Sequence, residues 1–230
     1  MSLLRTYPKP ERPNDPTHLE MAIYNYELKA KAHHDQRLKE TSSDKEQQAK
    51  MQRDFDHLQK EKQRLLSIAI ARESLEGYRT YTEKANIEQL EYEEHHPTEK
   101  LARLLTSQGE FKPTINHEAH HIVPGKGRYQ QARLTLYIYM WGIGINDPMN
   151  GVWLLNYKKN KPDDWATAKS VPHRNLHRYN YETWIGERFA IASSRKAVEA
   201  RLRQVKDKIK NNAMPVEVMS AKDANWSGTE

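Results

Sequence analysis

The chain contains no cysteine in its 230 residues. Disulfides and thiolate metal sites are therefore excluded, and any transition metal it holds must sit on His, Asp or Glu. Long apolar runs are missing too: none approaches the roughly 20 residues needed to cross a bilayer, so membrane insertion is not expected. The opening MSLLRTYPKPERPNDP has no apolar core followed by a small-residue cleavage site, so no signal peptide is expected. Between Thr17 and His96 there is no proline and one glycine, Gly77. That scarcity of helix breakers is what long helices require.

What is present is polar but not disordered. Hydrophobic residues make up 37% and charged residues 30%, yet there are 5 Trp and 12 Tyr, too many large aromatics for an unfolded chain. A folded, helix-rich protein with a large wetted surface is expected. Its net charge of +6 is uneven: residues 1–100 hold 17 Lys+Arg against 19 Asp+Glu, and residues 101–230 hold 20 against 12, giving −2 and +8. The basic half points to an anionic partner, nucleic acid first.

Along the chain, residues 1–16 read as an extended arm. Leu19, Ile23, Tyr26 and Ala30 form one apolar stripe, and Met51, Phe55, Leu58 and Leu65 another. The intervening TSSD supplies N-cap residues, predicting a helical hairpin that turns near Ser42 to Asp44. Further helical sequence, EKANIEQLEYEE and PTEKLARLLTSQG, is broken by Pro97 and stopped by Gly109. Then the composition changes: 8 of 9 glycines lie after residue 100 and all 5 tryptophans after residue 140. This places a helical region at 17–108, a compact loop-rich module at 109–192, a basic helix at 193–211 and a flexible tail at 212–230. The basic helix is equally a nucleic-acid grip or a wet face. His33, His34, His95 and His96 sit among charges and read as solvated, whereas Trp153, Trp165 and Trp184 are assigned to packing.

Histidine placement carries the chemistry. NHEAHHIVPGKGRY (116–129) holds His117, His120 and His121, and PHRNLHRYNY (172–181) holds His173 and His177. On a helix that Pro172 would start, residues 173 and 177 project from one face and share an ion. A catalytic ion needs a third protein ligand. Adjacent histidines on an extended segment point to opposite sides, so one of the AHH pair can bind metal while the other stays free as a base. GKGRY lacks the spacing and Ser/Thr of a P-loop, which argues against nucleotide binding.

EAHHIVPGKG, GIGINDPMNGVWLL and PHRNLHRYNY, in this order, closely resemble the AHH family of the HNH/endonuclease VII superfamily, nucleases with a ββα-metal (His-Me finger) core found as bacterial toxin modules. The resemblance spans about 116–188. It implies a mainly α fold with a small β component, a ββα-metal core preceded by the helical N-terminal region. It makes His120, His173 and His177 the metal ligands and His121 the general base. Asn150 matches the asparagine that braces the ββ turn and is counted with the catalytic set. Tyr181 matches a tyrosine of the family's helix, placed with Glu118 around the ligands. Between the first two blocks RYQQARLTLYIYMWGI inserts, expected as an amphipathic helix.

The residues suit phosphodiester hydrolysis. A neutral imidazole can deprotonate water near neutral pH, and a divalent ion can offset charge on the phosphorane. Lys126, Arg128, Arg174 and Arg178 are close enough in sequence to grip flanking phosphates, contacts that carry little sequence information. Zn, Mn or Ni suit three imidazoles better than Mg does. The expected function is a metal-dependent endonuclease acting on DNA, with RNA possible, as an antibacterial toxin or effector. The toxin resemblance implies a cognate immunity protein. The lack of a signal peptide suits synthesis in a bacterial cytoplasm and delivery into a target cell, as by type VI secretion, and on the architecture alone the N-terminal helices would be a loading or adaptor-binding segment. The alternative is a nucleic-acid-binding or adaptor protein whose histidine-metal site is structural.

Overall fold

A computed structural model describes residues 8–39, 45–125, 129 and 134–229. The chain divides into two compact units, Met1–Ile70 and Ala71–Glu230. In the first, α1 (His18–Lys39) and the opening turns of α2 (Lys45–Lys84) run antiparallel. Lys29 pairs with Glu61 at 2.8 Å and the His33 ring lies 6.1 Å from Phe55. Leu58 is buried, but Ile23 and Phe55 remain exposed, so the apolar stripes are only partly covered. The turn expected at Ser42 to Asp44 lies outside the described residues.

The second unit starts inside α2, whose Leu75 and Tyr78 pack on Leu104. Residues 71–108, which composition groups with the N-terminal helices, thus belong with the histidine-bearing module. Asn86 caps α3 (Ile87–Glu91) through a reciprocal box with Gln89. In α4 (Glu99–Ser107), Leu101, Leu104 and Leu105 line one face and are buried. Each such leucine contributes about 1.5–3 kcal/mol through burial.

Strand β1 (His117–His121) pairs antiparallel with β2 (Gly151–Leu155), with His120 opposite Val152 and His121 opposite Gly151. The GVWLL run is buried along its whole length, as a strand covered on both faces should be. Ala119 and Trp153 face Leu101 and Leu105 of α4, while Val152 and Leu154 join the main core. Gly151 lets α4 approach closely: a Cβ would stand 2.7 Å from Leu101 Cδ1, so that side chain would have to shift. Alternation along β1 then sends His120 and His121 to opposite faces.

Of the insertion expected as an amphipathic helix, 129 and 134–143 are described and only α5 (Leu136–Tyr139) among them is α-helical, while residues 128 and 130–133 lie outside the described set. Helix α6 (Tyr179–Ala190) completes the ββα arrangement and buries Tyr181, Trp184, Ile185 and Phe189. The fold is therefore mainly α with a small two-stranded sheet. Among the described residues no helix is long and apolar enough to cross a membrane.

Three expectations are corrected. The basic segment forms α7 (Arg195–Asn211), but Val198, Leu202, Val205 and Ile209 are buried in the core. Their 4-3-4 spacing lies beneath the count of positive charges, so the helix is a packed element with a charged outer face. The tail is not loose: Val218 is buried, and Met214, Met219 and Trp226 pack on the core. Asn180 Nδ2 donates to the carbonyls of Glu217 (2.6 Å) and Ala221 (3.0 Å), and its Oδ1 accepts from the Asp223 amide (3.0 Å). Trp165, assigned to packing along with Trp153 and Trp184, is 79% exposed while the other two are buried.

Candidate metal and catalytic centre

His120 lies within a paired strand, opposite Val152, so its backbone is fixed by the sheet. His173 and His177 do not lie on one helix as their spacing predicts. His173 begins a short 3-10 turn, His173–Asn175, after Pro172, and His177 is in the irregular residues before α6. The Arg178 backbone is extended, with φ −127° and ψ 155°, so α6 begins only after His177, and the two histidines are carried by the 3-10 turn and the residues after it rather than by helical periodicity.

They converge all the same. Ligand atoms of His120, His173 and His177 lie within 4.8 Å of one another. Ring centroids are 4.8 Å apart for 120 and 173, 5.4 Å for 120 and 177, and 4.9 Å for 173 and 177. His173 Nδ1 meets Glu118 Oε2 at 2.9 Å, which leaves Nε2 for an ion in the carboxylate-histidine arrangement typical of metal sites. His120 Nε2 is buried with no hydrogen-bond partner among the described residues. An orphaned imidazole nitrogen in the interior costs free energy unless something coordinates it, so the donor set fits a divalent ion with nitrogen ligands. Burial holds His120 well below its ordinary pKa. Burial also lowers His173, against the opposing pull of Glu118. Neutral rings are the form that ligates.

His121 faces the other way. Its Nε2 meets Asn146 Oδ1 at 3.1 Å, and its ring lies 6.1 Å from those of His95 and His96. Burial pushes its pKa down to about 4. A cavity of about 280 Å³ is lined by His96, His120, His121, His173, Arg174 and His177, among others.

The remaining expected residues fall into three groups. Arg174 lines the cavity and stacks 4.5 Å over the Tyr157 ring, donating to its hydroxyl at 3.0 Å. Tyr181 lies 5.8 Å from the His120 ring and donates to the Ile122 carbonyl at 2.7 Å, tying α6 to the end of β1. Asn150 is not among the cavity-lining residues. Its Oδ1 accepts from the Val123 amide (2.7 Å) and its Nδ2 donates to the carbonyls of Ile145 (2.9 Å) and Val123 (3.2 Å). It thereby braces the backbone at Val123 and Ile145. The Arg178 guanidinium donates to the carbonyls of Asn175 (2.9 Å) and Ser220 (3.3 Å), joining the turn to the C-terminal segment, and Arg178 is not among the residues that line the cavity. Lys126 and Arg128 lie outside the described residues.

His117 is buried between the hydroxyls of Thr114 (2.8 Å) and Thr167 (2.9 Å) and serves packing. His95 and His96, read as solvated, pack beside His121 in the loop between α3 and α4. Neither they nor Asn146 carries a local signal for this position, because YEEHHP looks like a charged surface run. Only the tertiary fold brings that loop to the sheet.

A two-stranded antiparallel sheet leading to a helix, with the first strand and the segment entering the helix supplying histidines to one cavity, defines the ββα class of nuclease. A model of the AHH family, a nuclease family of the HNH/ENDO VII superfamily with conserved AHH, matches residues 101–216, and the chain belongs to this family. Its role is therefore that of a nuclease. No match to the chain was found among curated proteins, nor among solved structures.

Proposed function

We propose that the chain is a metal-dependent endonuclease that hydrolyses DNA with little sequence preference and acts as an antibacterial toxin. The observation that supports metal dependence is the convergence of His120, His173 and His177, with the orphaned His120 Nε2 among their nitrogens. A divalent ion held there would supply Lewis-acid stabilisation of the phosphorane charge.

The chain's own residues have distinct tasks. His121, neutral at physiological pH, accepts a proton from the attacking water. Glu118 fixes the rotation of His173, and Arg174 holds a phosphate beside the scissile one. Asn150 and Tyr181 keep β1 in register with α6. Lys126 and Arg128 add phosphate contacts on the grounds of their sequence position. Phosphate contacts carry little sequence information, which supports low sequence preference.

DNA as the substrate, the toxin role and an immunity partner rest on the family resemblance, whereas a loading or adaptor-binding role for the N-terminal helices rests on the architecture alone. Three imidazoles favour Zn, Ni or Mn over Mg. The test is plasmid cleavage with each ion or with EDTA, comparing wild type with His121→Ala. Metal-dependent nicking lost in the variant while bound metal stays supports the assignment. Intact DNA and RNA with every ion would instead favour a structural metal site in a nucleic-acid-binding protein.

A further inference from the structure

We infer that Asn146 is a positioning residue that sets the tautomer of His121, held in its turn by Glu93 and Glu94 from the loop between α3 and α4. The inference rests on the nuclease reading for its consequence but not for its geometry. Asn146 is fully buried. Its Nδ2 lies 2.9 Å from Glu93 Oε1 and 2.9 Å from the Glu94 carbonyl. Both are acceptors only, a carbonyl always and a carboxylate when ionised, so the amide nitrogen must face them. The oxygen, Oδ1, is then the atom presented to His121 Nε2 at 3.1 Å, and an oxygen without hydrogen obliges that nitrogen to carry the proton. In a neutral ring Nδ1 is left with the lone pair. The atom that takes the proton from water is thereby Nδ1.

The amide cannot easily rotate out of this arrangement. Glu93 Oε2 accepts from the Tyr78 hydroxyl at 2.9 Å, that hydroxyl accepts from the Asn146 backbone amide at 3.1 Å, and Lys100 pairs with Glu93 at 2.7 Å. Both ends of residue 146 are thus anchored to the same carboxylate. Residues 78 and 93–94 precede the segment matched by the family, 101–216, so the orientation of the base depends on chain outside the family's own span.

The experiment compares wild type, Asn146→Leu and Asn146→Asp in the full chain. Leucine keeps the size and removes the acceptor, whereas aspartate keeps an oxygen for His121 and can share a proton with Glu93. The ring-nitrogen chemical shifts of His121 near neutral pH report the tautomer without any need for activity. Expected are protonation at Nε2 in wild type and Asn146→Asp, and a tautomer mixture in Asn146→Leu. Cleavage kcat should fall about 10- to 100-fold in Asn146→Leu, the range for a lost orienting partner, with KM and bound metal unchanged, and should be largely retained in Asn146→Asp. A purely packing role predicts the opposite order, since a buried apolar isostere is tolerated better than a second carboxylate. Wild-type protonation at Nδ1, or a leucine variant with wild-type tautomer and kcat, overturns the inference. If wild type cleaves nothing but the tautomer follows the acceptor at 146, the positioning holds and the nuclease reading alone fails.

Discussion

Replacing Asn150 by alanine removes an amide that serves three backbone groups in the interior: the N–H of Val123 and the carbonyls of Val123 and Ile145. Val123, Ile145 and Asn150 itself are each 0% exposed, so water cannot simply replace the lost partners. A buried polar group left unpaired costs about 1–3 kcal/mol. Partial relaxation of the turn keeps the total below the sum of three maxima, and a loss of about 3–5 kcal/mol is expected. That is a large share of the roughly 5–15 kcal/mol by which domains are stable. Urea unfolding followed by tryptophan fluorescence is the assay, because all 5 tryptophans lie after residue 140 and report on the second unit alone. With a slope of about 2 kcal/mol per molar urea, the midpoint should drop by about 2 M. Asn150→Asp, which sets a carboxylate oxygen against two carbonyls, should be at least as damaging. A loss under about 1 kcal/mol for alanine would refute the bracing argument.

Three further outcomes are expected. Burial holds His121 at about 4 against an ordinary 6.5, and His117, His120 and His173 shift in the same direction. The unfolded chain therefore binds more protons, and the stabilisation is complete above about pH 6.5 and lost as pH falls toward 4, with His121 alone accounting for about 3 kcal/mol. Thermal unfolding between about pH 7 and pH 5 should show the drop, and a flat profile contradicts it. Glu118→Gln keeps an acceptor for His173 but loses the charge, so calorimetric titration should show divalent-ion affinity weaker by about 10- to 100-fold; unchanged affinity would remove Glu118 from the site. Gly144→Ala drives a methyl onto the Tyr78 hydroxyl and within 2.6 Å of Thr82 Cγ2, and should destabilise the second unit by about 1–3 kcal/mol in urea unfolding.

What the sequence made legible were features with a local signature. The GVWLL run read as part of a family block and is the buried strand, and the HH pair splits across the sheet because strand side chains alternate. The convergence of His120 with His173 and His177 follows the sequence reading as well, although a spacing of four suggests an α-helix where the chain makes a 3-10 turn. Periodicity cannot tell these apart over so few residues. Sequence proximity gives no direction to a guanidinium, so the hydrogen bonds of Arg178 to the Asn175 and Ser220 carbonyls are not legible in the sequence. The α7 stripe at 198, 202, 205 and 209 was readable but was outweighed by charge. Asn146, Glu93 and His96 were not readable at all, since their contacts join elements more than 20 residues apart through a loop of ordinary surface composition.

The packing of the loop between α3 and α4 against His121 bears on how such nucleases can be shuffled. A recombination event that exchanged only residues 101–216 between two relatives would carry Asn146 away from Glu93 and Glu94, and His121 away from His95 and His96. A crossover near residue 71, inside α2, would move all of them together. Functional chimaeras should therefore inherit the preceding helical segment with the histidine blocks, and the heritable module is longer than its motif.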